Sequence, residues 1–502
     1  MKSRIRNSWQ RSWGKQMNTE DEIMKLSPER RKLLELLLNQ SEGIPRRAPD
    51  ALTPICSSQQ RFWILDQLKP NSNVFNTSAA IRLQGQLKLD ALQQALTEIV
   101  RRHESLRATF KLVDGQPVQV FEEPWAIKLP RTSLHDFKEK EREGAAHRFV
   151  QQEASRSFDL AQGPLFRVRL FALTKTDHVL LFTFHHIVAD GWSMGLLVRE
   201  LATLYEAFVN GNSSPLPETK IQFGDFAIWE REYLNDELIA RQLAYWKDKL
   251  AGQLPQLALP TDRERTPQTT DNGATYRFRI PATPRDLSLK ENVSLYTLLL
   301  AAYAALFIRY TGAADVVIGS PTANRPHPDT EDLVGCFINT LLMRIDLSGN
   351  PTFRELLARV RETTLDAFAN QDVPFNRVVD QLEHRQAGES PYRVWFVLQN
   401  EPLEDLKLRN LTLTDFHPER TTTLNDLTLS ITEVGDELAC NLDYRTDLFD
   451  ADTVIEFASR FTKFLDEVSS APETRLLDIA IDEEDVLAPQ ASVQELEDAF
   501  AL

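Results

Sequence analysis

The chain has 502 residues, 42% hydrophobic and 26% charged, with a formal net charge of −16. This is enough for two or three compact units with real cores, and the acidic balance argues against a nucleic-acid surface. Only three cysteines occur (Cys56, Cys336, Cys440), without a Cys-x-x-Cys pair, and no apolar run reaches the ~20 residues of a membrane span. A disulfide framework, a zinc cage and a transmembrane helix are therefore not expected, and a reducing cytoplasmic setting is.

In chain order, residues 1–50 read as a mobile basic tail and a short lead-in helix opened by Ser27-Pro28. The first 15 residues are basic but hold no apolar segment, so a signal peptide is not expected. Residues 41–54 read as a polar connector. Cys56-Ser-Ser-Gln-Gln-Arg-Phe-Trp-Ile-Leu65 is an amphipathic segment whose Arg61 can pin a neighbouring loop. Residues 74–83 alternate as a strand, and residues 89–103 repeat apolar positions at helical spacing. The following Arg102-His-Glu-Ser-Leu-Arg-Ala-Thr-Phe110 carries Arg102 and Arg107, read as members of a buried ion-pair network rather than catalytic groups. Strands are expected at 117–122 and 165–173, and a charged, solvated helix at 136–158.

Residues 178–186 form a nearly continuous apolar run, the pattern of a buried strand, ending in His185-His186. Asp190-Gly191-Trp192-Ser193 follows, and then a helical repeat from Leu196 to Tyr205. Successive strand residues face opposite sides, so one histidine can line a cavity while the other packs inward. A histidine beside Asp190 can move a proton at neutral pH without a metal. The plainer alternative is a core histidine beside an acid that only caps the next helix.

The second half opens after the turn-rich Asn210–Pro217 stretch, which places a lobe boundary there. The expected division is 1–50 tail, 51–217 first lobe, 218–485 second lobe and 486–502 acidic tail. Residues 281–291 read as irregular and 295–310 as a buried helix. Residues 314–325 read as a strand entering a Gly/Pro loop that ends at Arg325. Residues 353–368 read as an amphipathic helix and 392–399 as a strand. Residues 427–432 and 437–444 read as a hairpin, and Asp450 caps a helix over 453–468.

Seven stretches resemble, in order, the motifs of condensation domains of nonribosomal peptide synthetases. Gln59, Arg61, Trp63 and Leu65 match the first, with Cys56 and Ser58 replacing its usual Ser and Ala. Arg102–Phe110 matches the second, His185-His186-x-x-x-Asp190-Gly191 the third, and Phe223-Gly-Asp-Phe-Ala-Ile-Trp229 the fourth. Residues 314–325 with Gly335-Cys-Phe-Ile-Asn-Thr-Leu341 match the fifth, and Asn370-Gln-Asp-Val-Pro-Phe375 the sixth. The seventh, Arg385–Tyr392, keeps only its Arg and Pro.

The resemblance implies an α/β fold, a pseudo-dimer of two chloramphenicol acetyltransferase-like lobes in a V with the active site at their junction. It implies amide formation between an acyl or peptidyl thioester on one carrier protein and an amine, usually an aminoacyl thioester on a second. No cofactor or metal would be bound by the chain itself; the substrates would ride on phosphopantetheine arms. His186 would take the ammonium proton or orient the amine, and the Gly191 amide would be an oxyanion donor. Asp190 would brace the loop in an ion pair with Arg325, one oxygen remaining free to cap the helix. His185, Ser193 and Asn339 would support the site, as would Arg102 and Arg107. The intact histidines argue against heterocyclisation and Gly191 against epimerisation. A non-catalytic recruitment platform and a coenzyme A-dependent acyltransferase stay as alternatives. The branch most resembled joins L-configured or simple acyl donors. With no adenylation or carrier segment following, a free-standing or excised enzyme is expected, and residues 492–502 could dock a partner.

Overall fold

The computed structural model describes residues 43–255, 257–266, 270–382, 390–399, 408, 410–416 and 418–481. The first lobe comprises β1 (Thr53–Pro54), α1 (Ser57–Leu68), β2 (Asn76–Gly85), α2 (Leu89–Arg102), β3 (Ala108–Val113), β4 (Gln116–Phe121), β5 (Arg131–Ser133), α3 (Glu139–Ala154), β6 (Phe166–Ala172), β7 (Asp177–His185) and α4 (Gly191–Val209). In α2, Leu92, Ala95, Leu96, Ile99 and Val100 recur on one buried face, which packs on α4. β7 lies between β2 and β6, antiparallel to both, and is buried along nearly all its length. A strand covered on both faces has no solvent side, hence its unbroken apolar sequence.

The second lobe comprises α5 (Phe223–Tyr233), α6 (Asp236–Lys249), β8 (Gly273–Pro281), α7 (Thr283–Lys290), α8 (Leu295–Thr311), β9 (Asp315–Thr322), β10 (Asn339–Asp346), α9 (Phe353–Ala369), α10 (Phe375–Val379), β11 (Val394–Gln399), β12 (Leu411–Asp415), β13 (Leu427–Val434), β14 (Glu437–Arg445) and α11 (Ala451–Ser470). Its six-stranded sheet runs β10-β9-β11-β13-β14-β8. α8 is the core helix: every residue from Thr297 to Ile308 is buried, each large apolar side chain contributing roughly 1.5–3 kcal/mol. Ser294 caps its start by accepting from the Thr297 N–H, and Gly312 ends it with φ 64°, a left-handed turn that glycine adopts without strain.

One strand crosses between the lobes. β12 pairs antiparallel with β2, so the five-stranded sheet of the first lobe runs β12-β2-β7-β6-β5.

Several expectations are corrected. Residues 281–291 are not irregular: α7 forms there because Pro284 lies in its first turn, where no amide is needed. Asp450 stands at the N-cap of α11, but its side chain pairs with Arg263 instead of capping. Residues 43–50 are not a free connector. Ile44 is buried, and the Arg47 guanidinium binds both oxygens of Glu104 at 2.8 and 2.7 Å and Asp225 at 3.0 Å, joining two motifs. The lead-in helix, Arg385 and the acidic tail 486–502 lie outside the described residues.

Candidate active site

β7 carries the histidines to the lobe junction. His185, the last strand residue, pairs with Asn76, and the His186 N–H still donates to the Phe75 carbonyl at 2.9 Å. The strand ends there: His186 opens a turn closed by the Val188 N–H donating to the His185 carbonyl at 3.0 Å, and the two rings lie in different surroundings. His185 turns into the core, 1% exposed, between Phe75 and Phe158, and its Nδ1 accepts from the Ile187 N–H at 3.1 Å. Burial, helped by the neighbouring His186, lowers its pKa to about 3, so it is a neutral core residue.

His186 is half-buried and lies flat on Phe62 of α1, with ring centroids 4.9 Å apart and planes at 11°. Its Nδ1 is buried without a hydrogen-bond partner among the described residues. Burial is the main reason its pKa falls below the usual imidazole value; Asp190 opposes the shift, while Arg61 and Arg420 reinforce it. At neutral pH the imidazole is uncharged and able to accept a proton.

Asp190 is 2% exposed and fully engaged. Its Oδ1 accepts from the Ser193 N–H at 2.8 Å, the Ser193 hydroxyl at 2.7 Å and Arg325 Nη2 at 3.3 Å. Its Oδ2 accepts from the Phe337 N–H at 3.1 Å. The ion pair with Arg325 and the helix cap are thus both present, but they share one oxygen, and the other is taken by the second lobe's backbone. The Arg325 fork does not embrace the carboxylate: Nη1 turns to the Thr330 and Leu333 carbonyls, and the guanidinium lies 3.9 Å over Phe337. Ser193 Oγ also lies 2.9 Å from the Gly335 carbonyl and accepts from the Gly335 N–H at 3.0 Å, sewing α4 to the loop before β10. Gly191 begins α4, and a Cβ built there would meet nothing within 4 Å, so the space beside its backbone is open.

The remaining expected residues lie around this centre rather than in it. Arg102 binds Glu200 through Nε and Nη2 at 3.0 and 2.9 Å, and His103 adds a contact to Glu200 at 2.9 Å, so Arg102 belongs to a buried ion-pair network. Arg107 does not: it donates to the Val100 and Glu122 carbonyls, satisfying backbone groups instead of an acid. Asn339 ties two motifs together, donating to the Gln371 and Val373 carbonyls at 2.8 Å each and accepting from the Phe375 N–H at 3.1 Å.

Sequence reasoning missed the bracket made by α1. Gln59, fully buried, donates to the Ile187 carbonyl at 3.0 Å; Phe62 covers His186; Ser58 Oγ donates to the Phe337 carbonyl at 3.0 Å. The available signal was the buried glutamine and aromatic at three-residue spacing within the first motif. Among the described residues, no group of three or more His, Cys, Asp or Glu could hold a metal, and no single helix is long and apolar enough to cross a membrane.

The mixed α/β architecture, with its several sheets and helices, is of the chloramphenicol acetyltransferase-like class. Within it, this chain belongs to the condensation-domain family, whose model matches residues 51–486. It is 41% identical over 441 residues to one of the linear gramicidin synthase proteins of Brevibacillus parabrevis, covering 86% of this chain and 6% of that protein. It is 36% identical over 465 residues to phosphinothricin tripeptide synthetase PhsC of Streptomyces viridochromogenes, covering 90% of this chain and 43% of that one. The chain thus spans less than half the length of either relative. Among solved structures, the X-domain from teicoplanin biosynthesis is similar with a TM-score of 0.76 at 28% identity, over 88% of this chain and 100% of that one. The first condensation domain of the calcium-dependent antibiotic synthetase shares the fold with a TM-score of 0.75 at 20% identity, over 86% of this chain and 100% of that one.

Proposed function

We propose that this chain joins a carrier-bound acyl or peptidyl thioester to an amine, usually an aminoacyl group on a second carrier protein. The amine nitrogen attacks the thioester carbonyl carbon; the C–N bond forms, the C–S bond breaks, and the proton lost by nitrogen leaves with the thiol. A thioester is already activated, so no covalent enzyme intermediate is needed. What remains is to hold the amine neutral and aimed and to stabilise the developing oxyanion.

The observation that carries this reading is the uncharged His186 imidazole, held against Phe62 and free of side-chain hydrogen bonds at Nδ1. It accepts the amine's proton or orients the amine. The open backbone beside Gly191 at the start of α4, where amides point outward, suits the oxyanion. Asp190, with both oxygens spent, holds the loop. The donor is an L-configured or simple acyl group, both substrates arrive on phosphopantetheine arms of partner carrier proteins, and the setting is cytoplasmic.

A second reading, a recruitment platform, has its support in the 29% identity to the X-domain seen in complex with OxyB. Mass spectrometry of carrier-bound products separates the two. Wild type should form the amide, and His186→Ala should keep its fold and lose roughly 10²-fold in rate, the scale of a general base. Equal turnover by both would remove His186 from the chemistry; no product from either, with a partner protein retained, would favour the platform. Matched L- and D-donors on one carrier test the donor preference, and faster transfer of the D-donor overturns it.

A further inference from the structure

At the N-terminal end of α1, a cavity of about 220 Å³ opens between the lobes, lined by Ser57, Gln60, Glu230, Arg231 and Arg377 among others. Glu230, on α5, is 5% exposed, and its Oε2 accepts from the Ser57 N–H at 2.7 Å. Ser57 is the first residue of α1, whose first turn has no acid of its own, so Glu230 supplies the negative group that a helix N-terminus favours. The same helix reaches the chemistry at two points. Gln59 holds the carbonyl of Ile187, the residue after His186, and Phe62 stacks on the imidazole itself. Arg61 adds a tie to Thr340 of β10 at 3.0 Å, so the helix is braced against both lobes.

We propose that Glu230 is a positioning residue for His186: gripping the first amide of α1, it fixes the helix that orients the imidazole. This rests on the reading of His186 as the catalytic residue. Burial pushes the Glu230 carboxyl up to about 7, against the Ser57 bonds and the nearby Arg231. The other groups around it are Arg377 across the cavity and the Cys56 and Cys336 thiols, which burial pushes well above their ordinary range and keeps neutral. Glu230 therefore changes charge near neutral pH, while burial moves the His186 imidazole to lower pH than its ordinary value. The anion accepts the Ser57 N–H more strongly than the acid does, so the grip on α1 tightens as pH rises through 7.

Two variants test this in the full chain. Glu230→Gln keeps the shape and an acceptor oxygen but not the charge. Ser57→Pro removes the donated N–H at the first helical position, where proline fits. Histidine-labelled NMR is recorded from pH 5.5 to 8.5, the His186 ring signal being assigned by its loss in His186→Ala. Wild type should show a step in that signal with a midpoint near 7, and both variants should lack it. With carrier-bound substrates, the ratio of wild-type to Glu230→Gln turnover should rise on the order of 10-fold between pH 6 and 8, the cost of a slightly misaimed group. A step that persists in both variants, no step in wild type, or a ratio constant across pH would overturn the proposal. If Glu230→Gln fails to fold, Ser57→Pro carries the test alone. Should His186→Ala retain full turnover, the functional reading fails while the NMR arm still decides whether Glu230 sets the imidazole.

Discussion

At Asp190, one carboxylate oxygen serves the start of α4 and Arg325 together while the other holds the Phe337 amide, and both charged side chains are nearly sealed from water at 3% and 4% exposure. Removing Arg325 takes the cation from a buried carboxylate, and removing Asp190 takes a buried carboxylate from the guanidinium; breaking such a pair costs about 3–5 kcal/mol. Asp190→Ala and Arg325→Ala should each lose that much in denaturant melts, and the double variant should lose clearly less than their sum. Simple additivity would mean that the two charges act separately. Glu230 gives a different residue-scale outcome. Its pKa rises from 4.5 to about 7 on folding, so the folded state holds the proton more tightly. The stability this brings is complete below pH 4.5 and is lost as pH climbs through 7, on the order of 3 kcal/mol in all. Relative to Glu230→Gln, wild type should therefore lose stability between pH 5 and 8; parallel curves would contradict the buried-acid assignment. His186, Asp190 and Arg325 were legible because a short local pattern carries them. Glu230 and Phe62 were not, since what matters about each is a contact with a residue more than 100 positions away.

The C-terminal end of α2 is clamped to the middle of α4 by Arg102, His103 and Glu200, all buried. Burial alone would raise the Glu200 pKa, but the hydrogen bonds from His103 and Arg102 bring it down to about 2. A depressed carboxylate contributes stability that is fully present above its unfolded value near 4.5 and disappears as pH falls through 2. The stability advantage of wild type over Glu200→Gln should shrink steadily from pH 5 to pH 2 in acid titrations; an advantage independent of pH would mean that packing, not charge, makes the clamp. At this scale, long periodic elements were readable. The apolar stripe of α2 and the saturated apolar run of α8 are local properties of the chain. The failures have separate causes: α7 was hidden by a proline that reads as a breaker but occupies the permitted first turn. At β12, five residues of mixed polarity become a strand only because a distant edge accepts them.

In the whole molecule, two sets of ties hold the lobes in register, and they differ in reach. Asp190–Arg325, Ser193–Gly335 and Ser58–Phe337 cluster at the junction beside His186, whereas β12 reaches across to the outer edge of the first lobe's sheet. No sequence pattern announced that exchange, since it depends on which sheet edge is left open once both lobes have formed. Gly85 offers a selective way to break it. It pairs with Leu411 at φ 133°, a backbone angle that side chains rarely adopt, and a Cβ there would lie 2.1 Å from the Asn410 carbonyl oxygen. Backbone on both sides leaves no flexible side chain to yield, so Gly85→Ala must push the start of β12 off β2. A local loss of about 1.5–3 kcal/mol, the usual range for such strain, converts to amide exchange faster by roughly 10- to 100-fold. That acceleration should be confined to residues 411–415 and their β2 partners, with β7 still protected because β6 pairs with its other edge. His186 should then keep its place, and turnover should fall far less than in His186→Ala. Equal loss of protection along β7 would instead show that the crossing strand and β7 open as one cooperative unit.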